Sequence, residues 1–328
     1  MKTFNIIYGI TAAFVCLTAA FSMSSCSKDV PIGDPVTINA GYDLPQTGAS
    51  DEDNARIMDI YEKWSSYVLY DVDSTDVYWE QIAGTASSGG VVYRFVEGDP
   101  QYVGDMLDYL DDIWWHYFSD EFLQSGGIPF RVYLVEEYYY YRDWGSSGVS
   151  PNYYMDYYMV DDNAIIISGM SQVASYDEDT KRTKKRALVS ELFQSWISQG
   201  LLGTPEEFYT ISDYTNEPDV EIVYDSETMT SAFPPEDIEE LRTRGFIPKY
   251  ANPYSPYNEL LTYSGQWTSG YFDPSSNDFD YYISQIFNAT DETVAEFLKY
   301  DAVATKWNII LDYYKDNYDI DLRFIATE

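Results

Sequence analysis

Residues 184–203, KKRALVSELFQSWISQGLLG, constrain the fold of this chain more than any other stretch. Leu188, Val189, Leu192, Phe193, Trp196 and Ile197 recur at spacings of three and four, the stripe of an amphipathic helix packed on a core. Gly200 and Gly203 supply a C-terminal stop, because glycine enters the left-handed conformation that ends a helix without a Cβ penalty. The opposite face carries Ala187, Ser190, Glu191, Gln194 and Ser198. Whatever else the chain builds has to cover the apolar stripe.

The rest of the chain has the material to do so. Of 328 residues 45% are apolar, enough for one large domain or two modest ones. Asp and Glu number 55 against 19 Lys and Arg, a formal charge of −36. That excess makes nucleic acid and an anionic membrane surface poor partners for the body of the protein. Tyrosine alone contributes 34 residues, and an acidic, tyrosine-rich surface suits an extracellular or cell-surface location.

The first 26 residues are more specific. Lys2 precedes a nearly continuous apolar run over residues 6–20, too short for a spanning helix. The run ends in Met23-Ser24-Ser25-Cys26. This resembles a bacterial lipoprotein signal cleaved before Cys26, whose thiol would then carry the lipid; Met23 stands where Leu is usual. Ser27-Lys28-Asp29 resembles the short signal that sends some lipoproteins to the outer face of the outer membrane. The bland alternative is an ordinary secretory peptide with an incidental cysteine. Cys16 falls inside the removed segment, so Cys26 would be the one thiol of the mature chain, which leaves no disulfide and no cysteine metal site. The expected organisation is a signal peptide over 1–25, the lipidated Cys26 with a Pro- and Gly-rich tether over 26–50, and a folded domain over 51–328. That domain divides in expectation into an α/β lobe (51–203) and a mainly helical lobe (204–328).

Within the domain, residues 51–72 read as a helix with Ile57, Ile60, Tyr61, Trp64 and Val68 on one side. Residues 104–122 read as a second helix carrying the one histidine of the chain, His116. Strands are expected over 91–96, 130–136 and 164–168. Strands before the Glu191 helix and mostly helices after it make an α+β order.

Positions 190, 191 and 194 have the spacing of a zinc-peptidase helix, in which His, Glu and His take the first, second and fifth places. Here they read Ser190, Glu191 and Gln194. Further landmarks accompany them: Thr204-Pro205-Glu206-Glu207-Phe208, then Gly245-Phe246-Ile247-Pro248-Lys249-Tyr250-Ala251, then Ser255-Pro256-Tyr257-Asn258-Glu259, and a closing segment from Lys306-Trp307-Asn308 to Asp321-Leu322. In this order they resemble the substrate import-associated zinc metallohydrolase lipoproteins, a family of zinc-binding metallopeptidase type, over most of the mature chain. The resemblance implies a zincin-like (metalloprotease-type) α+β domain with a small mixed sheet packed on helices and a helical C-terminal half. It also implies a place beside an outer-membrane TonB-dependent transporter and its substrate-capturing lipoprotein.

The departures bear on chemistry. Ser190 and Gln194 replace both histidine ligands, and Asn258 falls where the family has a later acidic residue. A catalytic zinc takes about three protein ligands from His, Asp, Glu or Cys, and a hydroxyl and an amide offer neither charge nor an imidazole lone pair. Glu191 as general base has no metal-activated water to act on; its plain reading is a carboxylate on a solvated helix face. His116, flanked by Trp114, Trp115, Tyr117 and Phe118, reads as a packed or interfacial residue. The expectation is a catalytically inactive relative without a cofactor. An active zinc-dependent or other hydrolase using non-standard ligands is the alternative.

Two segments read as binding features. Residues 136–159 hold Tyr138, Tyr139, Tyr140, Tyr141, Trp144, Tyr153, Tyr154, Tyr157 and Tyr158 around the turn Gly145-Ser146-Ser147-Gly148. These rings could form a stacking platform for glycan or peptide, or a strand pair with tyrosines on both faces. Lys181, Arg182, Lys184, Lys185 and Arg186 crowd a helix start, against the macrodipole. Asp177, Glu178 and Asp179 could offset them, or the cluster could dock an anionic group or acidic neighbour.

Overall fold

Twelve consecutive residues, Arg131–Arg142, form the strand on which the other strands are assembled. The computed structural model describes residues 42–73, 90–161, 163–216, 219, 223–225, 230–232, 234–250 and 275–328. The expected leader, Cys26, residues 27–41 of the expected tether and Asn258 lie outside the described residues. Contacts separate Met1–Asp43 from Leu44–Glu328, and the second unit holds every element that follows. Its packing begins within the expected tether: the Gln46 side chain donates to the Val68 carbonyl at 2.9 Å and accepts from the Tyr70 amide at 2.9 Å.

Helix α1 (Asp51–Trp64) starts on Ser50, whose hydroxyl accepts from the Asp53 amide, with three acids in its first turn. The helix expected to reach residue 72 stops eight residues earlier. Ser65 turns left-handed (φ 60°) and closes the last turn on the Tyr61 carbonyl, after which β1 (Tyr67–Leu69) runs as a buried strand. Val68 thus sits at helical spacing yet is buried through the sheet. Strand β2 (Val91–Glu97) follows, then helix α2 (Val103–Ile113). The expected helix over 104–122 also breaks early. Trp114 leaves helical geometry (φ −140°, ψ −71°) and residues 115–117 form a tight turn. Adjacent residues on one helix point about 100° apart, and the break lets Trp114 and Trp115 both enter the core, 0% and 3% exposed.

The strand Arg131–Arg142 is β3, longer than the 130–136 segment expected. It is followed by β4 (Tyr153–Tyr154), β5 (Tyr157–Asp161) and β6 (Ala164–Ile167). One half of β3 pairs in parallel with β1 and β6, and β5 lies antiparallel on the far side of β6. The other half pairs antiparallel with β2 and β4. The result is a six-stranded mixed sheet. Register partners Val68, Val132 and Ile165, with Leu134 and Ile167, enter the apolar core. β6, sequence AIII, is buried along its whole length, as a strand covered on both faces should be.

Helix α3 (Glu178–Ser198) lies across this core. Its Leu188, Val189, Leu192, Phe193 and Trp196 are buried, the stripe read from the sequence. Trp196 meets Phe118 and Phe122 edge-on at 5.0 and 4.9 Å, and Phe193 meets Tyr314 at 4.7 Å and Phe287 at 5.8 Å. Gly200 (φ +75°) ends the helix, with the Leu201 amide on the Trp196 carbonyl and the Gly200 amide on the Ile197 carbonyl, a Schellman closure.

A two-stranded hairpin, β7 (Val223–Asp225) with β8 (Thr230–Ala232), precedes helices α4 (Pro235–Thr243), α5 (Ser275–Asn288), α6 (Asp291–Phe297), α7 (Asp301–Tyr318) and α8 (Leu322–Thr327). The class is α+β, with a small mixed sheet and a helical C-terminal half. The same apolar cluster contains Ile165 from the sheet, Phe193 from α3 and Ile310 from α7, so the two expected lobes share one core.

Candidate functional site

Helix α3 carries Ser190, Glu191 and Gln194 along the side away from its buried stripe. Glu191 and Ala187 are exposed, and Ser190 and Gln194 half-buried. Opposite Ala187 and Glu191 runs β5, the end of the sheet path β1-β3-β6-β5. Helix and strand are pinned twice: the Tyr157 hydroxyl donates to the Ala187 carbonyl at 2.9 Å, and Lys184 Nζ donates to Asp156 Oδ1 at 2.6 Å. Between them opens a cavity of about 460 Å³ lined by residues 155–159, Ala187 and Glu191. Burial, then the Glu191 and Asp156 carboxylates, push the Tyr157 phenol up, which keeps it a neutral donor to the helix.

The residues on this face do not fit zinc. A hydroxyl, one carboxylate and an amide occupy the places where a zinc helix would put two imidazoles and the base. Among the described residues no three His, Cys, Asp or Glu side chains gather within reach of one ion. Asn258 lies outside the described residues. His116 lies elsewhere: its Nδ1 faces the Asp111 carbonyl, its ring lies 3.9 Å from that of Tyr117, and it lines a separate cavity with Lys181, Arg182 and Lys185. It is exposed, where the sequence suggested a packed or interfacial residue; the chain leaves the helix at Trp114 and turns both tryptophans inward, so the packed reading does not hold.

The aromatic segment resolves into two faces of one small sheet. Tyr140 pairs with Tyr153 and Tyr139 with Tyr154 across β3 and β4, and the pleat sends neighbouring residues to opposite sides. On one side Tyr138 stands against Tyr93 and Tyr158, and Tyr140 against Tyr153, with ring centroids 4.9–6.0 Å apart. On the other, Tyr139 meets Tyr154 at 5.2 Å and Arg94 lies over Tyr141 at 5.9 Å. Trp144, 53% exposed, sits at the start of the turn beyond the strands. Tyr153 and Tyr154 are exposed, but on opposite faces, so the candidate rings do not share one platform.

The basic cluster has structural partners. Lys181 pairs with Asp112 at 2.7 Å, Arg182 with Asp179 at 2.7 Å and Lys184 with Asp156 at 2.6 Å. Arg186 Nε donates to the Ala326 carbonyl at 2.7 Å, tying α8 to α3. Lys185 is almost buried and donates to the Tyr117 hydroxyl at 2.8 Å. Offset by neighbouring acids was one of the two readings open in the sequence, and the acids include Asp112 and Asp156 from distant elements.

Asp156 and the Ala187 carbonyl are the contributors to the groove that sequence reasoning missed. Their role depends on β5 meeting α3 some 30 residues away, and no local pattern encodes that. No family model matches the chain, and no curated protein matches it. Among solved structures, a crystal structure from Bacteroides caccae, of a protein to which zinc-binding metallo-peptidase character is attributed, matches with a TM-score of 0.42 and 11% identity, covering 85% of this chain and 91% of that one.

Proposed function

We propose that this chain is a surface lipoprotein, anchored in the outer membrane through Cys26, that has the frame of a zinc metallopeptidase and binds its ligand without hydrolysing it. It would hold a peptide or glycan for a TonB-dependent transporter and the substrate-capturing lipoprotein beside it. The observation that carries this reading is the groove between β5 and α3. It is walled by a terminal strand, the arrangement to which an extended segment can add by main-chain hydrogen bonds. Glu191 faces it, but the flanking positions on the helix hold Ser190 and Gln194 in place of ligands.

The test is a panel of peptides and glycans titrated calorimetrically into the purified protein, with mass spectrometry of the mixtures. A ligand should bind and be recovered intact. Ala187→Trp, at an exposed helix position on the groove wall, should abolish that binding while leaving the melting temperature unchanged. Cleavage products that vanish in Glu191→Gln would overturn the reading in favour of an active hydrolase. Cys26→Ala should move the protein from the membrane pellet to the soluble fraction, since a lipid on one thiol carries the attachment; a variant that stays in the pellet contradicts the anchor.

A further inference from the structure

The two walls of the groove between β5 and α3 differ in texture and in charge. On the helix side Ala187 and Glu191, both exposed, stand four positions apart and so share a face. Ala187 is small and leaves the groove open beside the Glu191 carboxylate. On the strand side Tyr157 reaches the helix with its hydroxyl, and the pleat puts Met159 on the same side, with Met155 also lining the groove. That wall is apolar and deformable, because a thioether side chain adapts to whatever lies on it. The charged groups here are Asp156, Glu191 and, at the rim, Lys184. Lys184 is taken up by Asp156 at 2.6 Å and lies 4.8 Å from the centre of the Tyr176 ring. Glu191 is left with no ion pair among the described residues, so the groove holds one negative charge in excess.

Building on the reading of this groove as the ligand site, we propose that it selects peptides by a basic side chain and that Glu191 is the residue that reads the charge. A lysine or arginine would lay its methylene stem along Met155, Met159 and Ala187 and bring its cation to the Glu191 carboxylate. Long basic side chains bury the stem while keeping the head near water, which suits a groove whose one unpaired carboxylate is exposed. The Tyr157 hydroxyl is already engaged by the Ala187 carbonyl, so Glu191 is the group left to answer a cation. A neutral glycan has no charge for it, and an acidic peptide is repelled by it and by the −36 formal charge of the chain, a field that draws cations in. The helix position that would carry a general base beside zinc thereby serves recognition, with neither metal nor activated water.

The experiment is calorimetric titration of the purified full chain with short, end-blocked, threonine-rich peptides identical but for the central residue: lysine, norleucine or glutamate. The lysine peptide should bind about fivefold more tightly than its neutral norleucine counterpart, the worth of one solvent-accessible ion pair, and the glutamate peptide should bind most weakly. Added salt should narrow the gap. Glu191→Gln should bring the lysine and norleucine peptides to within about twofold of each other. Glu239→Gln, at an exposed position on α4, should leave the gap as it is; a gap that it closes equally would assign the preference to overall charge and overturn the proposal. Equal affinity of the parent chain for the lysine and norleucine peptides, or binding of glycans and of none of the peptides, would also overturn it. In both cases the groove itself stands as the ligand site if Ala187→Trp abolishes the binding that is seen. If no peptide and no glycan binds, the groove reading falls and this proposal falls with it.

Discussion

The most consequential single residue outside the two cavities is Lys306. Its side chain and that of Asp278 are both fully buried and ion-paired. The ammonium also donates to the Gly245 carbonyl at 3.0 Å and sits 4.6 Å from the centre of the Phe208 ring. The Tyr214 hydroxyl adds a bond to Asp278, and the Tyr282 hydroxyl donates to the Gly245 carbonyl at 3.0 Å. Burial pulls the Lys306 pKa down, opposed by Asp278. Lys306→Met therefore strands a carboxylate in the core, and denaturant unfolding should show a loss of about 3–5 kcal/mol. Lys306→Met with Asp278→Asn should recover part of that loss; a double variant as unstable as the sum of the singles would show that the pair is not coupled. Gly245 is fixed for a related reason. Its φ is +84°, and a Cβ there would lie 2.8 Å from Ser212 Oγ and 3.2 Å from the Ala302 Cβ, so Gly245→Ala should cost about 1–3 kcal/mol by the same measurement. Lys306 was legible in one respect. It falls on the Val303, Trp307, Ile310, Tyr314 stripe of α7, and a lysine on a core-facing stripe announces a buried partner. Which residue is the partner was not legible, because Asp278 is 28 positions away on another helix.

At the scale of elements, periodicity identified the stripe of α3, and burial follows it at Leu188, Val189, Leu192, Phe193 and Trp196, with Ile197 half-buried. Ends were harder to read. Apolar spacing carried α1 past Ser65 and α2 past Trp114, because spacing reports which side chains are buried and not the backbone conformation that buries them. The start of α3 was also missed: it begins at Glu178, capped by Asp177, whose carboxylate accepts from the Thr180 amide at 2.8 Å. Asp177→Ala removes the cap beside a run of cations that opposes the helix dipole. It should destabilise the protein by about 1 kcal/mol in thermal unfolding, the usual worth of an N-cap, and a change within error would mean that the ion pairs to Asp112, Asp156 and Asp179 suffice. The candidate site was legible on the helix side only. Ser190, Glu191 and Gln194 could be placed on one face from spacing, whereas the facing strand could not. The same helix geometry gives a direct test of the missing ligands: Ser190→His with Gln194→His places two imidazoles one turn apart beside Glu191. Zinc should then raise the melting temperature of the double variant by mass action and leave that of the parent chain unmoved; a parent chain stabilised by zinc to the same extent would mean that other residues supply the ligands.

The whole molecule is shaped by two excesses, acid and tyrosine, and they act at different pH. The −36 formal charge leaves the few cations heavily used, and in Lys185, as in Lys306, burial outweighs the neighbouring acids. Desolvation, with Arg182 and Arg186 adding repulsion, brings Lys185 from 10.5 to about 8, although Glu328 and Glu178 pull the other way. Its folded pKa is the lower one, so between about 8 and 10.5 the unfolded chain holds a proton that the folded chain has released, and stability rises with pH in that window. The tyrosines act in the opposite sense. Tyr67 is pushed up to about 12 by its hydrogen bond with Tyr61 and by burial, and desolvation raises Tyr214, Tyr282 and Tyr314 as well. Above about pH 10 the unfolded phenols ionise while the folded ones keep their protons, so each lowers stability as pH climbs. Urea unfolding followed from pH 7 upward should therefore give a stability that rises through about pH 9 and turns down beyond about pH 10. Lys185→Met should shrink the rise to the part that Lys306 contributes and leave the fall. A rise of the same size in the variant would remove Lys185 from the account, and a profile that stays level above pH 10 would mean that the buried phenols do not keep their protons there. The sequence counted 34 tyrosines but could not say which of them the fold buries. That depends on β3 bringing Tyr138 against Tyr158 and on α7 bringing Tyr314 against Phe193, contacts set by the assembled sheet and helices and by no local run of residues.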